Sequence, residues 1–206
     1  MAGPTVDFWQ RRFEADDIPW DRGEASPQLV PWLADGTLPA GARVAVPGCG
    51  SGHEVQVLAQ AGCRVTAIDY APAALARTAE RLQAAGLDAD TVALVQADVL
   101  PWQPDAPLDA VFEQTCWCAI HPDHWAGYAT QLHRWLRPGG RLALMGLQVH
   151  RPGAAEGRIE GPPYHLDINL LRALLPAERW DWPVPPYRAV PHPRGWHELA
   201  IVLTRR

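Results

Sequence analysis

Apolar positions along this chain follow two rhythms. Short, nearly continuous apolar runs recur at 43–46, 64–68, 91–96, 108–112 and 141–147, and each reads as a strand buried on both faces. Helix-like stretches lie between them. Residues 54–61 are stopped by Gly62, and residues 72–85 begin at Pro72 and end at Gly86. Residues 121–136 carry Pro122 in the first turn and Arg137-Pro138-Gly139-Gly140 as a stop. Further helices are expected at 6–12 and 167–174, and further strands near 180–182 and at 199–204. Strand and helix in alternation predict βαβ units, hence an α/β fold with a mostly parallel seven-stranded sheet flanked by helices. Residues 1–40 break the rhythm and read as a covering segment ahead of one globular unit at 41–206.

Composition narrows the chemistry. The 206 residues carry 18 basic side chains, all arginine, and the formal net charge is −5. Without lysine there is no Schiff-base chemistry, no P-loop lysine and no lysine base. No arginine run forms a basic stripe, so no nucleic-acid partner is expected. No apolar run approaches the roughly 20 residues that span a bilayer, so no membrane partner is expected either. The first residues lack the apolar core of a signal peptide, and four cysteines are too few for a disulfide scaffold; both point to reduced thiols and a cytoplasmic location. The ten tryptophans are an excess that composition leaves unplaced.

In parallel α/β sheets a ligand sits beyond the carboxyl ends of the strands. There the chain has the turn Gly48-Cys49-Gly50-Ser51-Gly52, then Asp69 and Tyr70 after the second strand, Ala97 and Asp98 after the third, and Glu113 after the fourth. Glycines let the backbone approach a ligand closely. A dinucleotide fingerprint wants glycine at position 53, where His53 stands; the spacing G-x-G-x-G is that of S-adenosylmethionine (SAM) sites. Asp69, seventeen residues after Gly52, suits a pair of ribose hydroxyls. Tyr70 offers a face to adenine, and Asp98 an acceptor to its amino group.

Over nearly its whole length the chain resembles the thiopurine S-methyltransferase family of class I SAM-dependent methyltransferases, whose members act on thiols, thiocyanate, halides and oxidised selenium or tellurium. The resemblance is carried by Phe8-Trp9 with Trp20 eleven residues on, by Val46-Pro47-Gly48-Cys49-Gly50-Ser51-Gly52-His53-Glu54 and by Cys118-Ala119-Ile120-His121-Pro122. Pro138-Gly139-Gly140 and Gly161-Pro162-Pro163-Tyr164 complete it. It implies that Trp9 and Trp20 cover the cofactor, that Gly48, Cys49 and Gly50 line its methionine side, that Asp69 holds the ribose, and that Ala97 and Asp98 border the adenine. Two positions depart from the family pattern: Gln114 and Trp125 stand where many members carry arginine.

The expected function is SAM-dependent methylation of a small molecule through a thiol, sulfide or other polarisable nucleophile. Such transfer is an in-line displacement that needs alignment and a dry site. A protonated oxygen or nitrogen acceptor would need a base; Glu113 and His121 are placed for that role, and Glu113 also for contacting the cofactor. Trp117, Trp125, Arg151 and Tyr164 are the expected acceptor contacts. Residues 148–163, with Gly153, Gly157 and Gly161, form either a lid or a surface loop. Cys116, Cys118, His121 and His124 do not follow a standard zinc spacing, and no metal is expected. The competing readings are a SAM-binding protein without transferase activity, a methyltransferase for a small O- or N-nucleophile, and a nicotinamide oxidoreductase.

Overall fold

The structure is a computed structural model that describes residues 3–87, 91–156 and 158–206. Gly157 of the expected loop lies outside them. Helices α1 (Val6–Glu14) and α2 (Leu29–Ala34) precede β1 (Arg43–Pro47). Then come α3 (His53–Gln60), β2 (Arg64–Asp69), α4 (Pro72–Ala84), β3 (Val92–Gln96) and β4 (Leu108–Gln114). Two single 3-10 turns, Trp117–Ala119 and Pro122–His124, lead into α5 (Trp125–Trp135) and β5 (Leu136–Gln148). A 3-10 turn at Pro152–Glu156, α6 (Ile168–Leu174), β6 (Trp180–Asp181), β7 (Arg188–Pro191) and β8 (His197–Arg205) complete the chain.

The strand order is β3-β2-β1-β4-β5-β8-β6, with β7 paired to β8. Strands β1 to β5 pair in parallel and β8 runs antiparallel to β5. The connections reverse direction between β1 and β4, which opens a crevice beyond the carboxyl ends of those two strands. The sheet is packed on both faces, which is why its central strands read as continuous apolar runs. Val44, Val46, Ala110, Phe112, Ala143 and Met145 face one core with Leu29, Trp32 and Leu58. Ala45, Val111, Leu142, Leu144, Ile201 and Leu203 face the other with Trp117, Tyr128 and Trp135.

The seven expected strands are present, and an eighth, β7, joins them. Its Arg-Ala-Val-Pro sequence follows Pro185-Pro186 and ends in Pro191, and β8 supplies its partner. The helix expected from residue 121 starts at Trp125, because a 3-10 turn headed by Pro122 comes first. The expected stop at 137–140 holds, since α5 ends at Trp135, and the same residues form a bulged entry into β5, with Gly139 at φ +74°. The covering segment is divided: residues up to Glu24 border the cavity, whereas Leu29, Trp32 and Leu38 are buried in the core. No helix among the described residues is long and apolar enough to cross a membrane.

Candidate active site

A cavity of about 1030 Å³ occupies the crevice between β1 and β4 and runs beneath the N-terminal segment. One half is built mainly from backbone. At Gly48, φ is +58° and a Cβ would lie 2.9 Å from the Cβ of Cys116. At Gly52, φ is +74° and a Cβ would meet the Thr78 side chain at 2.7 Å. Both positions therefore require glycine for conformation and for space. Thr78 Oγ1 donates to the Gly50 carbonyl (2.9 Å) and Arg81 Nε to the Ser51 carbonyl (2.7 Å), so α4 clamps the turn from outside.

Asp69 closes β2 and is buried. Its Oδ1 accepts the Ala71 N–H (2.9 Å) and its Oδ2 the Gly50 N–H (3.1 Å). Burial raises its pKa to about 6, and the backbone N–H bonds limit the rise. Each carboxylate oxygen keeps room for a second donor, which is what two vicinal hydroxyls require. Asp98 is exposed and accepts the Leu100 N–H on Oδ1 (2.9 Å). Gly48, Cys49, Gly50, Asp69, Tyr70, Ala97 and Asp98 all line this half, and the donor set fits a nucleoside with a polar tail.

The roof is aromatic. Trp9 and Trp20 meet edge to face at 5.2 Å, with Phe8 on Trp9 at 5.0 Å and Phe13 on Trp20 at 5.8 Å. The Arg12 guanidinium stacks over Trp20 at 5.1 Å. The roof is fastened at several points. Gln10 accepts the Ala73 N–H (2.9 Å), Arg77 donates to the Phe13 carbonyl (2.6 Å) and to Asp16 (2.8 Å), and His53 pairs with Asp21 (3.0 Å).

The other half gathers side chains from distant segments. Thr115 turns the chain after β4 at φ +62°, a sparsely allowed conformation for a branched residue, and brings Gln114 and Cys116 to the wall. Arg151, Pro162 and Pro163 enter from the 148–163 loop, whose Arg151 donates twice to the Pro163 carbonyl (2.6 and 3.1 Å). His192, Arg194 and Trp196 enter from the β7–β8 turn, with the His192 and Trp196 rings stacked at 5.4 Å. Burial and Arg22 lower the pKa of His192.

Beside this wall lies a buried ion pair. Arg22 Nη2 donates to Glu198 Oε2 at 2.7 Å and to the Pro191 carbonyl at 2.9 Å. Gln114 Nε2 reaches both Glu198 oxygens at 2.9 and 3.0 Å. Burial raises the Glu198 pKa against the pull of Arg22 and Gln114. Neither Arg22 nor Glu198 was singled out from the sequence. Glu198 stands one residue before the strand expected at 199–204, so neither it nor Arg22 carried a readable signal.

Four expected site residues stand elsewhere. Glu113 is fully buried and does not line the cavity; it accepts the Trp117 N–H at 2.6 Å and so caps the first 3-10 turn. Burial pushes its pKa up to about 8. Trp117 packs into the core against Tyr128 at 5.4 Å. Trp125 donates from Nε1 to the Ile120 carbonyl (2.8 Å) and packs on Tyr164, behind the wall and not on it. Tyr164 in turn backs the His121 ring at 5.7 Å. The three aromatic side chains sit on the core side, where a large apolar surface is best covered. His121 does line the cavity, and its Nδ1 accepts the Asp123 N–H (3.3 Å). Cys116 and Cys118 are buried thiols whose pKa burial raises. Among the described residues no three His, Cys, Asp or Glu side chains group as a metal site.

Comparison with known proteins agrees with this geometry. The model of the thiopurine S-methyltransferase family matches residues 4–183. Thiocyanate methyltransferase 1 of Arabidopsis thaliana is 30% identical over 81% of this chain and 70% of its own. A probable thiol methyltransferase 2 of the same plant is 29% identical over 85% and 74%. The magnesium protoporphyrin IX methyltransferase of Synechocystis PCC 6803, solved with bound SAM, superposes over 100% of both chains with a TM-score of 0.73 at 14% identity, which shows the shared fold. The chain belongs to the thiopurine S-methyltransferase family and is a SAM-dependent methyltransferase of small molecules.

Proposed function

We propose that the methyl acceptor is a small thiol or another polarisable sulfur species. The observation that carries this reading is kinship with a thiocyanate and a thiol methyltransferase; of the two expected bases Glu113 is shut out of the cavity, while His121 lines it beside guanidinium and apolar groups. A soft anionic nucleophile reacts without a base at the moment of transfer; an alcohol does not.

When bound, SAM supplies an electrophilic methyl group on a positive sulfur. In this reading Asp69 holds the ribose hydroxyls, Gly48, Cys49 and Gly50 pass close to the methionine part, and Tyr70, Ala97 and Asp98 border the adenine. Trp9 and Trp20 exclude water from above, so residues up to Glu24 act as the cover. His121 and Arg151 border the acceptor. The protein aligns the two sulfur atoms and keeps the space dry. The four free cysteines support a reducing, cytoplasmic setting, and the net charge of −5 argues against a nucleic-acid partner.

The test is S-adenosylhomocysteine release across a panel of thiols, sulfide, iodide, thiocyanate, selenium compounds, amines and phenols. Turnover concentrated in the sulfur acceptors is expected. Turnover confined to amines or phenols would overturn the reading.

A further inference from the structure

Arg22 has no task in the account above, yet its surroundings are specific. Its side chain is 9% exposed and it lines the cavity. Nη2 is held by Glu198 and the Pro191 carbonyl and Nε is fully buried, which leaves Nη1 as the guanidinium donor available to a ligand. The position is equally specific. Gln114 ends β4 and holds Glu198 through both oxygens, so the guanidinium is fixed beside the carboxyl end of β4. The neighbouring β1 end carries Gly48, where the cofactor half begins. The ion pair therefore stands at the junction of the two halves.

We propose that Arg22 binds the acceptor as its thiolate, and that Glu198 and Gln114 are positioning residues that hold the guanidinium for that contact. The inference rests on the thiol reading above. A free alkyl thiol with a pKa of about 8.5 is mostly protonated at neutral pH. A fixed cation in a water-poor site favours the anion and lowers such a pKa by about one to three units. The thiol proton leaves to solvent before transfer. The thiolate then forms the new S–CH₃ bond while the bond between methyl and the positive sulfur breaks, with its electron pair staying on the departing sulfur. Both charges are neutralised, and no protein group has to take a proton in that step. Arginine suits this role because it stays ionised where a histidine would not.

Other titratable and charged groups face the pair. They are His192 in the β7–β8 turn, Glu54 on α3, Glu113 on β4 and Cys118 in the turn that follows it. Each can shape a pH profile, so the test needs an acceptor with no proton to lose. The wild type, Arg22→Gln and Arg22→Lys are compared with an alkyl thiol and with iodide from mildly acid to alkaline pH. With the thiol, wild-type kcat/KM is expected to level off about one unit or more below the free thiol pKa. Arg22→Gln should move that rise upward, with a loss of about tenfold or more at neutral pH, and Lys should restore part of it. Iodide should show no such displacement.

A second readout needs no turnover. An aromatic thiol with a near-UV thiolate band, bound together with S-adenosylhomocysteine, should ionise at lower pH in the wild type than in Arg22→Gln. Should the Gln variant fail to fold, Arg22→Lys carries the same comparison, and Glu198→Gln, which removes the counter-charge, should move the thiol rise downward and not upward. An unchanged thiol profile and unchanged thiolate titration in a thiol-active enzyme overturn the assignment alone. An enzyme that uses iodide but no thiol overturns the thiol reading and this assignment with it.

Discussion

The two halves of the cavity are built on different physical principles. The cofactor half is a backbone device: three positive-φ glycines, a carboxylate held by two N–H groups, and turns that end consecutive parallel strands. The acceptor half is a side-chain device, assembled from the N-terminal segment, the end of β4, the 148–163 loop and the β7–β8 turn. Local chemistry defines the first and tertiary topology defines the second. The contrast teaches where a substitution acts. In the first half it changes affinity for one conserved shape of ligand; in the second it changes how distant parts of the chain meet.

The largest effect is expected where the acceptor half is buried deepest. Glu198→Ala leaves the Arg22 guanidinium without its counter-charge at a site 9% exposed. Breaking such a pair from one side costs about 3–5 kcal/mol, so thermal unfolding should shift down by roughly 10 °C. Glu198→Gln keeps a hydrogen-bond acceptor and should lose less. Equal stability of all three proteins would mean that the pair is not a joint between N-terminal segment and sheet.

Next comes Asp69→Ala in the cofactor half. The variant removes the acceptor for two hydroxyls and frees the Gly50 and Ala71 N–H groups. Charge-assisted bonds are worth about 1.5–3 kcal/mol each, so SAM affinity measured by calorimetry should fall about a hundredfold or more. Thiolate titration in the acceptor half should survive wherever the complex can still be saturated. A loss of SAM affinity below about threefold would contradict the ribose assignment.

The same carboxylate gives SAM affinity and the stability of the free protein opposite pH behaviour. Asp69 has a pKa of about 6, raised by burial from 3.8. An ionised carboxylate accepts two hydroxyls better than a protonated one. SAM affinity should therefore be level above pH 6 and weaken below it, by at most about tenfold per pH unit. Stability of the free protein runs the other way. The folded form holds the proton more tightly than the unfolded chain, so this group's contribution is fullest below 3.8 and is lost as pH rises to about 6. Calorimetry and thermal unfolding of the free protein over that window should show opposite slopes, and Asp69→Asn should flatten both.

How much of this was legible follows the same division. Gly48, Gly50, Asp69 and Asp98 lie at the ends of runs whose apolar pattern marks them as strands, so position and chemistry are readable from neighbours in the chain. Trp117, Trp125 and Tyr164 are adjacent to the wall in sequence but turn toward the core, because which face of a turn is buried is settled by α5 and β5 packing on it. Glu113 follows the same rule: the end of a strand predicts nearness to the ligand, but the 3-10 turn that follows takes the carboxylate as its cap. Arg22 and Glu198 are 176 positions apart, and only the antiparallel return of β8 beside β5 brings them together. No local pattern encodes that pairing.

The roof over the cofactor half allows the finest division between the halves. Arg77, on α4, is 31% exposed and ties down the roof through the Phe13 carbonyl and Asp16, itself 77% exposed. An exposed ion pair contributes little, and the bond to a carbonyl adds about 1 kcal/mol. Arg77→Ala leaves every group that lines the cavity in place and weakens only the fastening of Trp9 and Trp20. SAM affinity should therefore fall by about fivefold or less, with the change in the dissociation rate of the complex. The pH position of the thiol profile should not move, since Arg22, Glu198 and Gln114 are untouched. A displaced thiol profile in Arg77→Ala would mean that the roof and the acceptor wall move as one body, and the two halves would then have to be treated as a single site.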